Sequence, residues 1–292
     1  MKNILITGGS GFLGSHLVKK LLHKKNIKIY ILVRYETNFL RLNSIKNKIT
    51  LINLSKNLEL YFKKYKFHTI IHCATDYGRD AKKSKLDIVN ANLILPLKLI
   101  ELAIKFKVKT FINTDTFLPK DMSEYSLSKD HFYQWFRYYS EKITCINIKL
   151  EHFFGPEDNE TKFVIFIILK LIQKTKYINL TKGEQKRDFI YIDDVIDALE
   201  KIILFSYKKK KGFYKFEIGT GKSTSIKKIV LLIKKLTKNK ITKLNFGKIP
   251  YRKNEFMNAQ INLKLLKSIN WKPKTTLIKA IKKTVKYYNI NK

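Results

Sequence analysis

The 292-residue chain is 45% hydrophobic and carries 60 Lys and Arg against 23 Asp and Glu, a formal net charge of +37. This composition supports an ordinary buried core and excludes a disordered chain, and the length fits one large α/β unit with a smaller appended lobe. No apolar run is long enough to span a bilayer, since Phe163–Ile172 is broken at Lys170, and Ile4–Ile6 is too short for a signal sequence. Nearly all of the positive charge is lysine scattered over solvated positions, with one true run at Lys208–Lys211. It lacks the aromatic interleaving of a strand-binding groove, so no nucleic-acid partner is expected, although an anionic substrate would be attracted. Cys73 and Cys145 lie in separate apolar runs without metal-ligand spacing. They read as core residues of a cytoplasmic protein with no metal site.

Ile4-Leu5-Ile6 predicts a first strand, followed by Thr7-Gly8-Gly9-Ser10-Gly11-Phe12-Leu13-Gly14 and a helix whose apolar face holds Leu17, Val18, Leu21 and Leu22. Strand, glycine turn and helix together predict a dinucleotide cradle. Gly8 allows the tight turn, Gly11 a close approach to a pyrophosphate at the helix N-terminus, and Gly14 the packing of helix on sheet. Phe12 and Leu13 open that helix and join the expected cofactor contacts. A second strand, Ile27 to Val33, ends at Arg34, 20 residues beyond Gly14. An acidic residue there would hold a ribose 2′-hydroxyl; a cation favours the 2′-phosphate of NADP over NAD. Ile49–Leu54 and Thr69–Cys73 predict the third and fourth strands, and Leu86–Phe106 a long helix. A fifth strand, Thr110–Asn113, delivers Thr114-Asp115-Thr116 at its end. Tyr125-Ser126-Leu127-Ser128-Lys129 then opens an amphipathic helix, placing Tyr125 and Lys129 on one helical face.

These motifs resemble the extended short-chain dehydrogenase/reductases, the family of nucleotide-sugar epimerases, dehydratases and reductases. The resemblance continues through Phe153-Phe154-Gly155-Pro156, the segment Gln185–Val195, Pro250-Tyr251-Arg252 and Asn270-Trp271-Lys272-Pro273. It implies a Rossmann-type parallel sheet with helices on both faces and a smaller C-terminal substrate lobe. It also implies that Tyr125 is the general acid/base, that Lys129 lowers its pKa and holds the nicotinamide ribose, and that Thr114 hydrogen-bonds the reacting oxygen. Asn53 falls where an Asp contacts adenine in the family, Leu54 joins the implied cofactor contacts, and Ala74 falls in the turn under the pyrophosphate. His72, beside that turn, is expected to be structural. Arg187 and Arg252 match the arginines that reach the substrate diphosphate, a task suited to a permanently charged fork. Only six arginines occur in this lysine-rich chain.

Residues 1–150 are expected to form the dinucleotide-binding domain, with returns near 185–203 and 213–219, and 151–292 mainly the substrate lobe. Gly219-Thr220-Gly221-Lys222-Ser223-Thr224 looks like a P-loop but has Phe216 where that motif requires glycine. In the family's 4,6-dehydratases a Glu base follows the Asp that here is Asp115. Thr116 stands in its place, and the Thr114–Tyr125 spacing is most similar to the CDP-abequose synthase-type 4-ketoreductases. The resemblance therefore implies reduction of a nucleoside-diphosphate 4-keto sugar. The alternatives are a 4-epimerase and a non-catalytic, NADP-sensing or RNA-binding relative. Family practice also implies a homodimer through the helices near Leu86–Phe106 and Glu124–Ser140.

Overall fold

The computed structural model describes residues 1–79 and 84–290, and they form two compact units. The first comprises Met1–Lys149 and Ile196–Phe216. Its elements begin with β1 (Lys2–Thr7), α1 (Phe12–Leu22), β2 (Ile27–Val33), β3 (Thr50–Asn53), α2 (Leu58–Tyr65) and β4 (Thr69–His72). They continue with α3 (Lys85–Val89), α4 (Leu95–Lys105), β5 (Thr110–Thr116), α5 (Glu124–Tyr138) and β6 (Thr144–Leu150). The seven-stranded sheet runs Gly212–Ile218, β6, β5, β4, β1, β2, β3. β1 lies parallel to both β2 and β4, in registers that set Ile6 beside Ile31 and Ile71. Successive residues Ile4, Leu5 and Ile6 are all buried, which requires cover on both faces of the sheet. On one face Leu5, Ile70 and Phe111 pack with Phe62, Leu99, Ile100, Phe132 and Phe136 from the helices.

The chain leaves β1 toward one edge and β4 toward the other, so the ends of these two strands form the switch point where such sheets bind ligands. Thr7, His72 and Thr114 all stand at that end. The helix expected over Leu86–Phe106 is interrupted by a π turn at Asn90–Ile94. The Asn92 side chain in this turn is buried. The amide oxygen accepts the Asp76 N–H at 2.9 Å, and Nδ2 donates to the Asp76 carbonyl at 2.8 Å and to Ser128 Oγ at 3.1 Å. One side chain thereby ties the loop after β4 to α5.

The second unit comprises Leu150–Val195 and Glu217–Lys292. Its elements begin with β7 (His152–Phe154), α6 (Phe163–Ile172), β8 (Tyr177–Leu180) and β9 (Lys186–Tyr191), whereas α7 (Ile192–Ser206) and β10 (Gly212–Ile218) belong mostly to the first unit. β11 (Ser223–Ser225), α8 (Ile226–Leu236), β12 (Lys243–Phe246), α9 (Lys264–Ser268) and α10 (Leu277–Ile290) follow. β9 lies between β11 and β7 in a three-stranded sheet, and β8 pairs with β12. The return to the first unit begins at Ile196, later than the expected position near 185. Pairing with β7 and β11 keeps β9 in the second unit.

Several helices end on a left-handed residue: Lys66 after α2, Lys107 after α4, Lys174 after α6, Lys238 after α8 and Asn270 after α9. After α4 the Lys107 and Val108 N–H groups bond back to Ile104 and Ala103, and the pattern recurs at Lys174-Thr175 and Lys238-Asn239. Among the described residues no helix is long and apolar enough to cross a membrane.

Candidate active site

Two glycines fix the cradle at the end of β1. Gly8 has φ of +65°, and a Cβ on it would lie 2.6 Å from the Ala74 nitrogen. A Cβ on Gly14 would lie 2.2 Å from the Gly8 carbonyl oxygen, so α1 rests directly on the turn. Gly9, which the motif reading passed over, packs against Ile31. The N-cap of α1 is Gly11, with no side-chain cap and no acid in the first turn. The first-turn N–H groups of a helix, here those of Phe12, Leu13 and Gly14, have no acceptor within it and can bind an anion. The residues present therefore fit a dinucleotide. Thr7 Oγ1 accepts the Ala74 N–H at 3.1 Å and contacts His72 Nδ1 at 2.8 Å, bracing β1 against the turn after β4.

Arg34 directly follows β2, and its guanidinium is exposed. Asn53 ends β3, where its Oδ1 accepts from both the backbone and the hydroxyl of Ser55, each at 2.9 Å. Leu54 follows, its N–H on the Val33 carbonyl at 2.8 Å.

β5 and α5 bring the chemical groups together. Ser123 and Ser126 form a capping box that starts α5 one residue before Tyr125. Lys129, one turn on, is buried and donates to the Thr114 carbonyl at 2.9 Å. Burial lowers its pKa to about 8, with Asp115 and Cys73 opposing. Thr114 Oγ1 donates to the His72 carbonyl at 3.0 Å. His72 is fully buried, and burial followed by the Lys129 charge holds it well below the ordinary range, so it is neutral. Its structural reading agrees with this packing.

Asp115 has both oxygens engaged. Oδ1 accepts the Thr116 N–H at 2.7 Å, and Oδ2 accepts Asn147 Nδ2 at 2.8 Å. Asn147 Oδ1 in turn accepts Asn113 Nδ2 at 2.7 Å. Burial raises the Asp115 pKa, against these bonds and the Lys129 and Lys149 charges.

Tyr125 departs from the expected electrostatics. Burial, then Tyr77 and Asp115, hold its phenol above the ordinary range, while a Thr116 hydrogen bond and Arg79 oppose. Lys129 was expected to lower it, yet the ammonium is directed at the Thr114 carbonyl rather than at the phenol. Tyr77 packs on the Tyr125 ring at 5.0 Å between centroids, with Arg79 over Tyr77 at 5.2 Å. Tyr77, Arg79 and Asn147 were not singled out from sequence. Only Asn147, a polar residue between Ile146 and Ile148 in an apolar strand, carries a readable signal.

Within the second unit, Arg187 is buried. Nη1 donates to the Lys186 carbonyl at 2.8 Å, Nη2 pairs with Glu255 at 2.6 Å, and the Phe256 ring lies 5.4 Å away. Arg252 is exposed, and its carbonyl accepts the Glu255 N–H at 3.1 Å. The P-loop lookalike is filled by Asp188. Its Oδ1 accepts the Thr220 N–H and hydroxyl at 2.9 and 2.7 Å, and Oδ2 accepts the Gly221 N–H at 2.6 Å.

Residues 4–219 match the NAD dependent epimerase/dehydratase family. The chain belongs to this family and is an NAD-dependent enzyme of that class. CDP-abequose synthase of Salmonella typhimurium is 35% identical to it over 301 residues, covering 97% of each chain. The CDP-abequose synthase of Yersinia pseudotuberculosis is 26% identical, covering 87% of this chain and 90% of that one. Among solved structures, UDP-glucose 4-epimerase of Thermotoga maritima with UDP-glucose superposes with a TM-score of 0.83 at 21% identity, covering 99% of each. dTDP-glucose 4,6-dehydratase of Bacillus anthracis in complex with NAD gives 0.82 at 21% identity, covering 100% of this chain and 98% of that one. These likenesses establish the Rossmann-type fold.

Proposed function

We propose that the protein reduces the 4-keto group of a nucleoside-diphosphate sugar with NADPH. The observation that carries this reading is Thr116: the last residue of β5, directly after Asp115, is a hydroxyl where a dehydratase needs a carboxylate to remove a carbon-bound proton. The similarity to two CDP-abequose synthases supports it. Gly8, Gly11, Phe12, Leu13, Gly14, Asn53, Leu54 and Ala74 would hold the dinucleotide, with Arg34 on a 2′-phosphate. The bound cofactor supplies hydride to the carbonyl carbon. Tyr125 gives its proton to the keto oxygen, Thr114 and Lys129 hold the reacting groups, and Asp115 fixes the backbone of Thr116. Arg187 and Arg252 are assigned to the diphosphate, which would compete with Glu255 for the Arg187 fork.

The test is turnover of keto-sugar nucleotides with C4-deuterated NADPH. One cofactor is consumed per product, and deuterium appears at sugar C4. Tyr125→Phe lowers the rate by about 10² to 10⁴ with cofactor affinity little changed. Interconversion of 4-hydroxy sugars without net cofactor consumption would replace this reading with a 4-epimerase.

A further inference from the structure

The positive charge is not spread evenly along the chain. Residues 218–292 hold 20 Lys and Arg against a single acid, Glu255, whereas residues 1–217 hold 40 against 22. A lysine bias acting on solvated positions throughout would not remove the acids from one stretch alone. Glu255 is itself taken up by Arg187 at 2.6 Å. The stretch lies within the second unit, where α8 and α10 lie against each other. α8 buries Ile226, Ile229 and Ile233 and exposes Lys228, Leu231 and Lys235 at helical spacing on the opposite face. α10 buries Ala280, Thr284 and Tyr288 and exposes Lys279, Lys282, Lys286 and Ile290. Neither helix contains a carboxylate. We propose that the outer faces of α8 and α10 form a docking surface for an anionic lipid bilayer.

Like charges three and four residues apart on a helix repel, so folding gains nothing from these stripes. The arrangement suits a partner outside the chain. Each lysine near an anionic bilayer contributes about fivefold in affinity, and it needs no fixed geometry because the lipid surface is a fluid field of charge. Within each stripe stands one exposed aliphatic, Leu231 at 47% and Ile290 at 70% exposure. Such a side chain enters the headgroup region while the ammoniums around it stay at the surface. Nucleic acids are held by a different set, arginine forks for phosphate and aromatic rings for bases. Neither helix carries an arginine, and no aromatic ring stands in either stripe. Attachment of this kind is peripheral and needs no spanning segment.

The test is co-sedimentation of the full chain with vesicles of phosphatidylcholine, pure or mixed with phosphatidylserine, at low and high salt. The chain binds the mixed vesicles alone, and salt releases it. Replacing Lys279, Lys282 and Lys286 together by Gln lowers partitioning about 100-fold, and Lys228→Gln with Lys235→Gln about 25-fold, with thermal unfolding unchanged. Leu231→Ser and Ile290→Ser each lower it several-fold without a change in charge. Glutamine at all four of Lys208 to Lys211 removes more charge, from the first unit, and changes partitioning by no more than about threefold. Wild type that stays free of mixed vesicles at low salt overturns the proposal. Losses as large from the Lys208–Lys211 variant overturn it too, because net charge rather than this surface would then drive binding. Duplex DNA bound more tightly than mixed vesicles, and released by the same α8 and α10 variants, would give the surface to nucleic acid instead.

Discussion

The turns Thr7–Gly14 and Gly219–Thr224 both use glycine to expose backbone amides, and they differ in what surrounds those amides. In the first, α1 begins without a side-chain cap or an acid. In the second, the amides of Thr220 and Gly221 are bonded to the buried carboxylate of Asp188. The same contrast separates two arginines. Arg34 is exposed beside the first turn, whereas Arg187 is buried against Glu255. Glycine spacing shows that a backbone can approach an anion. Whether the anion is a ligand or the protein's own carboxylate depends on the residues around it.

The strongest way to break this comparison is to fill the open turn. Gly14→Val drives side-chain atoms into the Gly8 carbonyl and would distort the amides proposed to hold the pyrophosphate. Dinucleotide affinity then falls by about 10² to 10⁴ in calorimetric titration. Binding at wild-type strength would show that this turn is not the cradle. In the filled turn, Asp188→Ala leaves the Thr220 and Gly221 N–H groups without their acceptor and costs about 2–4 kcal/mol of stability in denaturant unfolding, with dinucleotide affinity unchanged. A loss of affinity with no loss of stability would reverse the roles assigned to the two turns. Arg34→Ala weakens NADPH by about 10- to 150-fold and leaves NADH nearly unchanged. Equal losses for both cofactors would remove Arg34 from the 2′-phosphate.

The smallest effect comes from Lys129, a buried cation bonded to a carbonyl where Arg187 has a carboxylate. Its folded pKa of about 8 lies below the ordinary 10.5, so the native state releases this proton before the unfolded chain does. Stability therefore gains with pH across that window, by about 1 kcal/mol between pH 8 and 9, and the gain disappears in Lys129→Met. A stability difference between wild type and Lys129→Met that stays constant from pH 7 to 9.5 would contradict the depressed pKa.

What could be read in the sequence was set by local geometry. The glycine turn, the Tyr125–Lys129 spacing and the strands around them are constraints between residues close in the chain, and apolar runs such as Ile4–Ile6 fix the sheet. The site's finer arrangement depends on pairs far apart in sequence: Asn92 with Asp76 and Ser128, Asn147 with Asp115, and Asp188 with Thr220. Helical spacing placed Tyr125 and Lys129 on one face but could not show that the ammonium turns to the Thr114 carbonyl. The π turn was equally hidden, because the apolar pattern of Leu86–Phe106 continues through it.

The left-handed helix ends give the lysine-rich composition a thermodynamic side. Lys66, Lys107, Lys174 and Lys238 occupy a conformation that glycine enters freely and that crowds any side-chain Cβ against the backbone. At about 1 kcal/mol each, the four offset some 4 kcal/mol of folding free energy, a large share of the 5–15 kcal/mol that typically separates a native domain from its unfolded chain. Part returns through attraction between each ammonium and the carbonyl end of its helix, a contribution that added salt would erode. The tolerance of this chain to ionic strength is therefore written partly into how its helices stop.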